Sequence, residues 1–190
     1  MDLVHTWCCH KKSLITPYVW GGGVIMEPFD DTGFSLVNDY FFTTPVKYYV
    51  RKNEGVPAGV DCSSLVLLAA QTAGIDYSFK TTSTLFKHGN SVKNVDDMQL
   101  GDIIVWNGHM LVVGDMRKGK ESCIESLGYG SGAGKVREVA LEKRFKDIVS
   151  YQDLWDAYVT KKPLEIFYAN NSIVSKKIPE FKIVSLFGKK

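Results

Sequence analysis

The stretch Val60-Asp61-Cys62-Ser63-Ser64-Leu65-Val66-Leu67-Leu68-Ala69-Ala70-Gln71-Thr72-Ala73-Gly74 constrains the fold more than any other part of the chain. Ser63 to Ala73 reads as a buried helix with Asp61, Cys62 and Ser63 at its N-terminus and Gly74 as the stop just past its end. Downstream the pattern changes to short β-rich runs, Ile103 to Trp106, Met110 to Val113, Ser122 to Ser126 and Val136 to Ala140, with Gly and Asn between them. These predict an antiparallel meander. The tail offers a helix over Tyr151 to Thr160 and two apolar stretches, Leu164 to Tyr168 and Phe181 to Phe187, read as edge strands. A helix followed by consecutive strands is the α+β pattern.

The 190 residues suffice for one domain, since a chain of this size buries a core without metal or disulfide staples. Hydrophobic residues at 45% and charged residues at 23% exclude a disordered chain, a coiled coil and a collagen-like repeat. A formal charge of +2 gives no reason to expect a nucleic-acid partner or an anionic membrane surface. The longest apolar run, Leu65 to Ala70, is far shorter than the ~18 residues of a membrane span. The segment of about residues 24–57 alternates rings (Phe29, Phe34, Tyr40, Phe41, Phe42, Tyr48, Tyr49) with breakers (Pro28, Gly33, Pro45, Gly55, Pro57), and is expected to fold as an insertion of short strands or a lid. Residues 1–12 lack the basic start, apolar stretch and cleavage site of a secretory signal. Four scattered cysteines (Cys8, Cys9, Cys62, Cys123) do not form a disulfide framework, so a reduced or reactive thiol is expected.

Cys62 is the sharpest chemical candidate. At the first turn of a helix, free backbone N–H groups and the positive end of the dipole stabilise a thiolate; otherwise Cys62 is a small buried hydrophobe. His109, in Trp106-Asn107-Gly108-His109-Met110, follows a turn at the start of an apolar strand. There it either faces the helix N-terminus as the acid–base partner of a thiol nucleophile or makes a local hydrogen bond. A third polar group would orient the imidazole. Glu125, in Cys123-Ile124-Glu125-Ser126, is placed for that by strand alternation, since it shares a face with Cys123 while Ile124 points away; the other reading is an exposed strand glutamate.

Tyr18-Val19-Trp20-Gly21-Gly22, Val60-Asp61-Cys62-Ser63-Ser64-Leu65-Val66, Gly101-Asp102-Ile103-Ile104 and Gly108-His109-Met110 resemble, in order, the motifs of the NlpC/P60 cysteine peptidases. The resemblance covers roughly residues 15–23 and 58–127. It implies a papain-like core, a nucleophile-bearing helix packed on an antiparallel sheet, in a single catalytic domain. The insertion and a C-terminal extension of about residues 145–190 stand outside the motif core. It also implies a thiol amidase or endopeptidase acting on small peptides, with a peptidoglycan stem peptide as partner, no cofactor and no metal, and a site of action usually outside the cytoplasm. Carried over by motif, Cys62 is the nucleophile, His109 the general base and acid, and Tyr18 lines the site near the oxyanion or is a buried ring. Asp61 receives a substrate amine or caps the helix, and Ser63 contacts substrate or caps. Two positions depart from the family. Ser64 stands where glycine is usual, which predicts crowding beside the thiol, and Glu125 stands where His, Asn or Gln is usual.

Other enzymatic readings are a papain-like acyltransferase or a thioesterase acting on lipid or protein amides. The non-enzymatic alternative is an inactive muropeptide-binding module. Gly128-Tyr129-Gly130-Ser131-Gly132-Ala133-Gly134-Lys135 fails as a phosphate loop, because Tyr129 occupies a required glycine place and Val136 the Ser/Thr place. His5, Cys8, Cys9 and His10 lack the ligand spacing of a structural zinc site. His88, in Lys87-His88-Gly89-Asn90, reads as a solvent-facing loop residue.

Overall fold

The computed structural model describes residue 18 and residues 60–128, 135–167 and 174–186. The expected insertion over residues 24–57, motif residues 19–22, the stretch holding His5, Cys8, Cys9 and His10, and residues 129–134 lie outside the described residues.

Helix α1, Cys62–Thr72, begins where Asp61 turns extended backbone into helix and its Oδ1 accepts the Ser64 N–H at 2.8 Å. Gly74, at φ +69°, ends it. The Gly74 N–H donates to Gln71 O and the Ile75 N–H to Ala70 O, so the last carbonyls are satisfied by a left-handed residue that a side chain would strain. Ser63 to Ala70 are all buried, as a helix apolar on every side requires.

Helix α2, Thr82–His88, has no counterpart among the sequence expectations. His88 is exposed as expected, but it is the last residue of this helix and not part of a loop. Only Leu85 of its seven residues is buried, so there was no apolar periodicity to read, and the helix rests on its Thr81 cap. A short 3-10 turn, Val95–Asp97, follows.

The strands β1 (Ile103–Trp106), β2 (His109–Val113), β3 (Ser122–Leu127) and β4 (Lys135–Ala140) form the expected antiparallel meander, and β7 (Lys182–Val184) returns to pair with β1. The order is β4-β3-β2-β1-β7. Trp106 pairs with His109 across the Asn107-Gly108 turn, where φ of +99° at Gly108 favours glycine. The strand therefore starts at His109, one residue before the sequence pattern placed it.

Two further helices, α3 (Leu141–Arg144) and α4 (Tyr151–Val159), follow β4. Ser150 and Asp153 close a capping box on α4. Strand β5 (Leu164–Phe167), from the first of the expected edge strands, pairs with β6 (Val174–Ile178) in a separate two-stranded sheet. Of the two apolar tail stretches, only the second reaches the main sheet edge.

Strand alternation sorts the core into two layers. Ile103, Val105, Met110, Val112 and Ile124 pack with Val60, Leu65, Val66, Leu68 and Leu85 on the side of α1 and α2. Ile104, Trp106, Leu111, Val113 and Cys123 pack with Leu141, Phe145, Leu154, Leu164 and Ile178 on the other. A sheet covered on both faces needs apolar residues at successive positions, which is why β1 reads Ile-Ile-Val-Trp without a polar break. The result is an α+β arrangement in which α1 packs on an antiparallel sheet. Among the described residues no helix is long and apolar enough to cross a membrane.

Candidate active site

The N-terminus of α1 and the start of β2 meet at the end of the sheet. There the Cys62 side chain comes beside the His109 ring and interacts with it. The other side of the ring is held by Glu125, with His109 Nε2 donating to Glu125 Oε2 at 2.8 Å. With Nε2 so engaged, Nδ1 is the nitrogen left for the sulfur, and the ring has one tautomeric role on each side. Trp106 lies against the imidazole, with ring centroids 5.4 Å apart and planes inclined by 55°.

Glu125 is not the exposed strand glutamate that was the simpler sequence reading; it is 0% exposed. Its burial is compensated by two arginines as well as His109. Arg137, its cross-strand partner on β4, donates from Nε at 2.9 Å and from a terminal nitrogen at 2.6 Å to Oε1. Arg144, at the end of α3, lies 3.0 Å from Oε2. Burial alone would raise the carboxyl's pKa, but the His109 hydrogen bond and the charges of Arg144, His109 and Arg137 outweigh it and hold the group down at about 2. His109 shows the mirror image. Burial depresses its pKa, yet the hydrogen bonds to Cys62 and Glu125, with the charges on both, raise it to about 9.

Asp61 acts at the helix end. Its Oδ1 accepts from the Ser64 N–H (2.8 Å), the Ser64 hydroxyl (2.8 Å) and the Ser63 hydroxyl (2.9 Å). The capping role open to Asp61 in the sequence is therefore present in the fold, whereas Ser63 only donates its hydroxyl to the capping carboxylate; both residues also line the cavity. The Ser64 hydroxyl is turned onto the cap. Ser126 Oγ donates to Val60 O at 2.6 Å, tying β3 to the residue that leads into Asp61. Asp102, of the Gly101-Asp102 motif, is fully buried and accepts the Gln99 N–H at 2.9 Å; it braces the turn into β1 and does not line the cavity. Cys123 is a buried free thiol whose pKa is pushed up by burial and by the charge of Glu125.

Cys62 and His109 open onto a cavity of about 530 Å³, within the ~300–1,000 Å³ range of small-molecule sites. Tyr18, half-buried and bridged to Val60, forms part of its wall, and its ring lies so close to Gly128 that a Cβ there would stand 3.4 Å from Tyr18 Cε1. Thr81 and Thr82 contribute from the start of α2, where the Thr82 hydroxyl accepts the Gly108 N–H at 3.3 Å. Ile166, Phe167 and Lys176, from the small sheet, and Arg144 complete the far wall. The sequence reading missed Arg137 and Arg144. Arg137 was within reach, since folding β3 and β4 symmetrically about their Gly-rich connection sets it opposite Glu125. Arg144 carried no local signal, because its proximity to Glu125 depends on how α3 leaves β4.

Among the described residues no three His, Cys, Asp or Glu side chains group as a metal site. Cys62 with His109, and His109 with Glu125, can pass a proton between a thiol and a substrate group while a fixed carboxylate holds the ring. No protein-family model, curated protein or solved structure matches the chain.

Proposed function

We propose that the protein is a thiol amidase or endopeptidase that hydrolyses amide bonds in small peptides, with peptidoglycan stem peptides as the substrate class that the motif resemblance implies. The observation that carries this reading is Cys62 set beside a His109 ring that Glu125 holds by a hydrogen bond, both Cys62 and His109 opening onto one cavity. The packing of α1 on the antiparallel sheet is in keeping with a papain-like core.

In the proposed cycle His109 already holds the proton that Cys62 gives up, and Cys62 Sγ bonds to the carbonyl carbon as the carbonyl electron pair moves onto oxygen. The oxyanion is received by the Cys62 backbone N–H, which as a first-turn donor has no intrahelical carbonyl to reach. Tyr18 lines the site beside it. Collapse breaks the C–N bond, and His109 protonates the departing amine to leave a thioester on Cys62. Water, deprotonated by His109, then attacks the thioester, and breaking the C–S bond releases the acid and restores the starting pair with the proton on His109. Glu125 acts through His109 as a positioning residue.

Digestion of muropeptides followed by mass spectrometry reports the bond cleaved and the activity together. Cys62→Ala is expected to abolish the new products while the protein keeps its fold by circular dichroism. Undiminished cleavage by that variant would overturn the mechanism.

A further inference from the structure

Arg144 is only 2% exposed, yet it lines the cavity. One terminal nitrogen donates to Phe167 O at 2.8 Å and the other lies 3.0 Å from Glu125 Oε2. Its Nε has no hydrogen-bond partner among the described residues. A guanidinium presents five N–H donors in a rigid fork, so the two contacts leave part of its capacity unused. Leaving a buried donor unpaired is costly, and the residue that carries it is part of the cavity wall.

The charge balance points the same way. Two guanidiniums, Arg137 and Arg144, face the single carboxylate of Glu125, so the cluster behind the wall holds an excess positive charge. Lys176 adds an exposed cation on the same wall. It pairs across the ladder with Ile166, next to the Phe167 carbonyl that Arg144 grips. Among the described residues the acid lining the cavity is Asp61, and its Oδ1 is already the acceptor for three donors at the α1 cap.

We propose that Arg144 and Lys176 form an anion-accepting subsite in the cavity wall, which selects acyl substrates carrying a carboxylate near the scissile bond. This rests on the reading of Cys62 as nucleophile. A carboxylate is the anion assigned because guanidinium and carboxylate match as planar groups.

Labelling of Cys62 by neutral iodoacetamide, followed by mass spectrometry of the Cys62 peptide, tests the subsite without a known substrate. The competitors are glutarate, its uncharged analogue glutaramide and inorganic phosphate, all at matched ionic strength. Glutarate is expected to slow labelling saturably and glutaramide not to do so at the same concentrations. In Lys176→Gln the glutarate concentration for half-protection should rise about threefold, the scale of one partly solvated charge contact. Equal effects of glutarate and glutaramide, or a Lys176→Gln midpoint that does not move, would overturn the subsite and leave the nucleophile reading standing. Protection by phosphate at lower concentrations than glutarate would overturn the carboxylate assignment. If Cys62 in the unprotected protein resists iodoacetamide, the nucleophile reading itself falls, and the subsite falls with it.

Discussion

His109 Nε2 stands 2.8 Å from Glu125 Oε2, and that oxygen is shared with Arg144 while the other oxygen of the same carboxylate receives Arg137. Glu125 is thus an ionised group held from three sides with no exposed surface of its own. A histidine bonded to such a group is confined to one ring orientation and one tautomer when neutral, which is what an acid–base partner of a thiol needs.

Glu125→Gln keeps the shape and removes the charge. Arg144 then remains buried, and Arg137 partly buried, against a neutral amide. Breaking a buried ion cluster by removing one partner costs about 3–5 kcal/mol. The urea midpoint should fall accordingly, and turnover by the folded fraction should drop about 10²–10⁴-fold as His109 loses its orienting acceptor. A variant with wild-type stability would mean that the arginines find other partners.

Stability should be widest on the mildly acidic side of neutrality. His109 is raised from 6.5 to about 9, so its contribution is complete below about pH 6.5 and is lost as pH rises through about 9. Glu125 is lowered from 4.5 to about 2, so its contribution is complete above about pH 4.5 and is lost as pH falls through about 2. Urea midpoints measured from pH 2 to 10 are expected to form a plateau between about pH 4.5 and 6.5. In His109→Gln the alkaline decline assigned to this residue should disappear; an unchanged decline would assign it elsewhere.

Ser126→Ala removes the 2.6 Å bond to the buried Val60 carbonyl. An unpaired buried acceptor costs about 1–3 kcal/mol. Chemical denaturation should show a loss of that size. Because the bond fixes the approach to Asp61, hydrogen exchange at the first turn of α1 should also quicken, which a purely global destabilisation by a distant core mutation would not do selectively.

Gly89 joins α2 to the sheet edge at a distance no side chain tolerates. An added Cβ would stand 2.5 Å from Leu85 O and 2.7 Å from Val184 Cγ1. Gly89→Ala should therefore cost about 1–3 kcal/mol through displaced backbone, seen as a lowered Tm. Alanine at the solvent-side Gly119 meets no atom within 4 Å, but its φ of +77° is unfavourable to a side chain, so that variant separates conformational strain from crowding.

The sequence by itself determined the elements whose signals are local. The Asp61 cap, the Gly74 stop and the uniformly apolar turns between them specify α1, and alternating turn residues specify β1 to β4 in order. The candidacy of Cys62 and His109 was legible for the same reason, since each sits at the end of an element where a polar group can leave the core. Thr82–His88 was not legible because one buried leucine makes no pattern. The pairing of β5 with β6 depends on contacts far apart in the chain.

Tertiary structure alone decided the environment of Glu125. Strand alternation could put it on the Cys123 face, but whether a strand glutamate is solvated or sealed depends on what covers that face, and here α3 and β4 bring two arginines to it. The C-terminal segment beyond the motif core likewise reaches the main sheet through β7 and the cavity through Ile166, Phe167 and Lys176. Burial and long-range charge pairing are properties of the packed chain, and no window of neighbouring residues carries them.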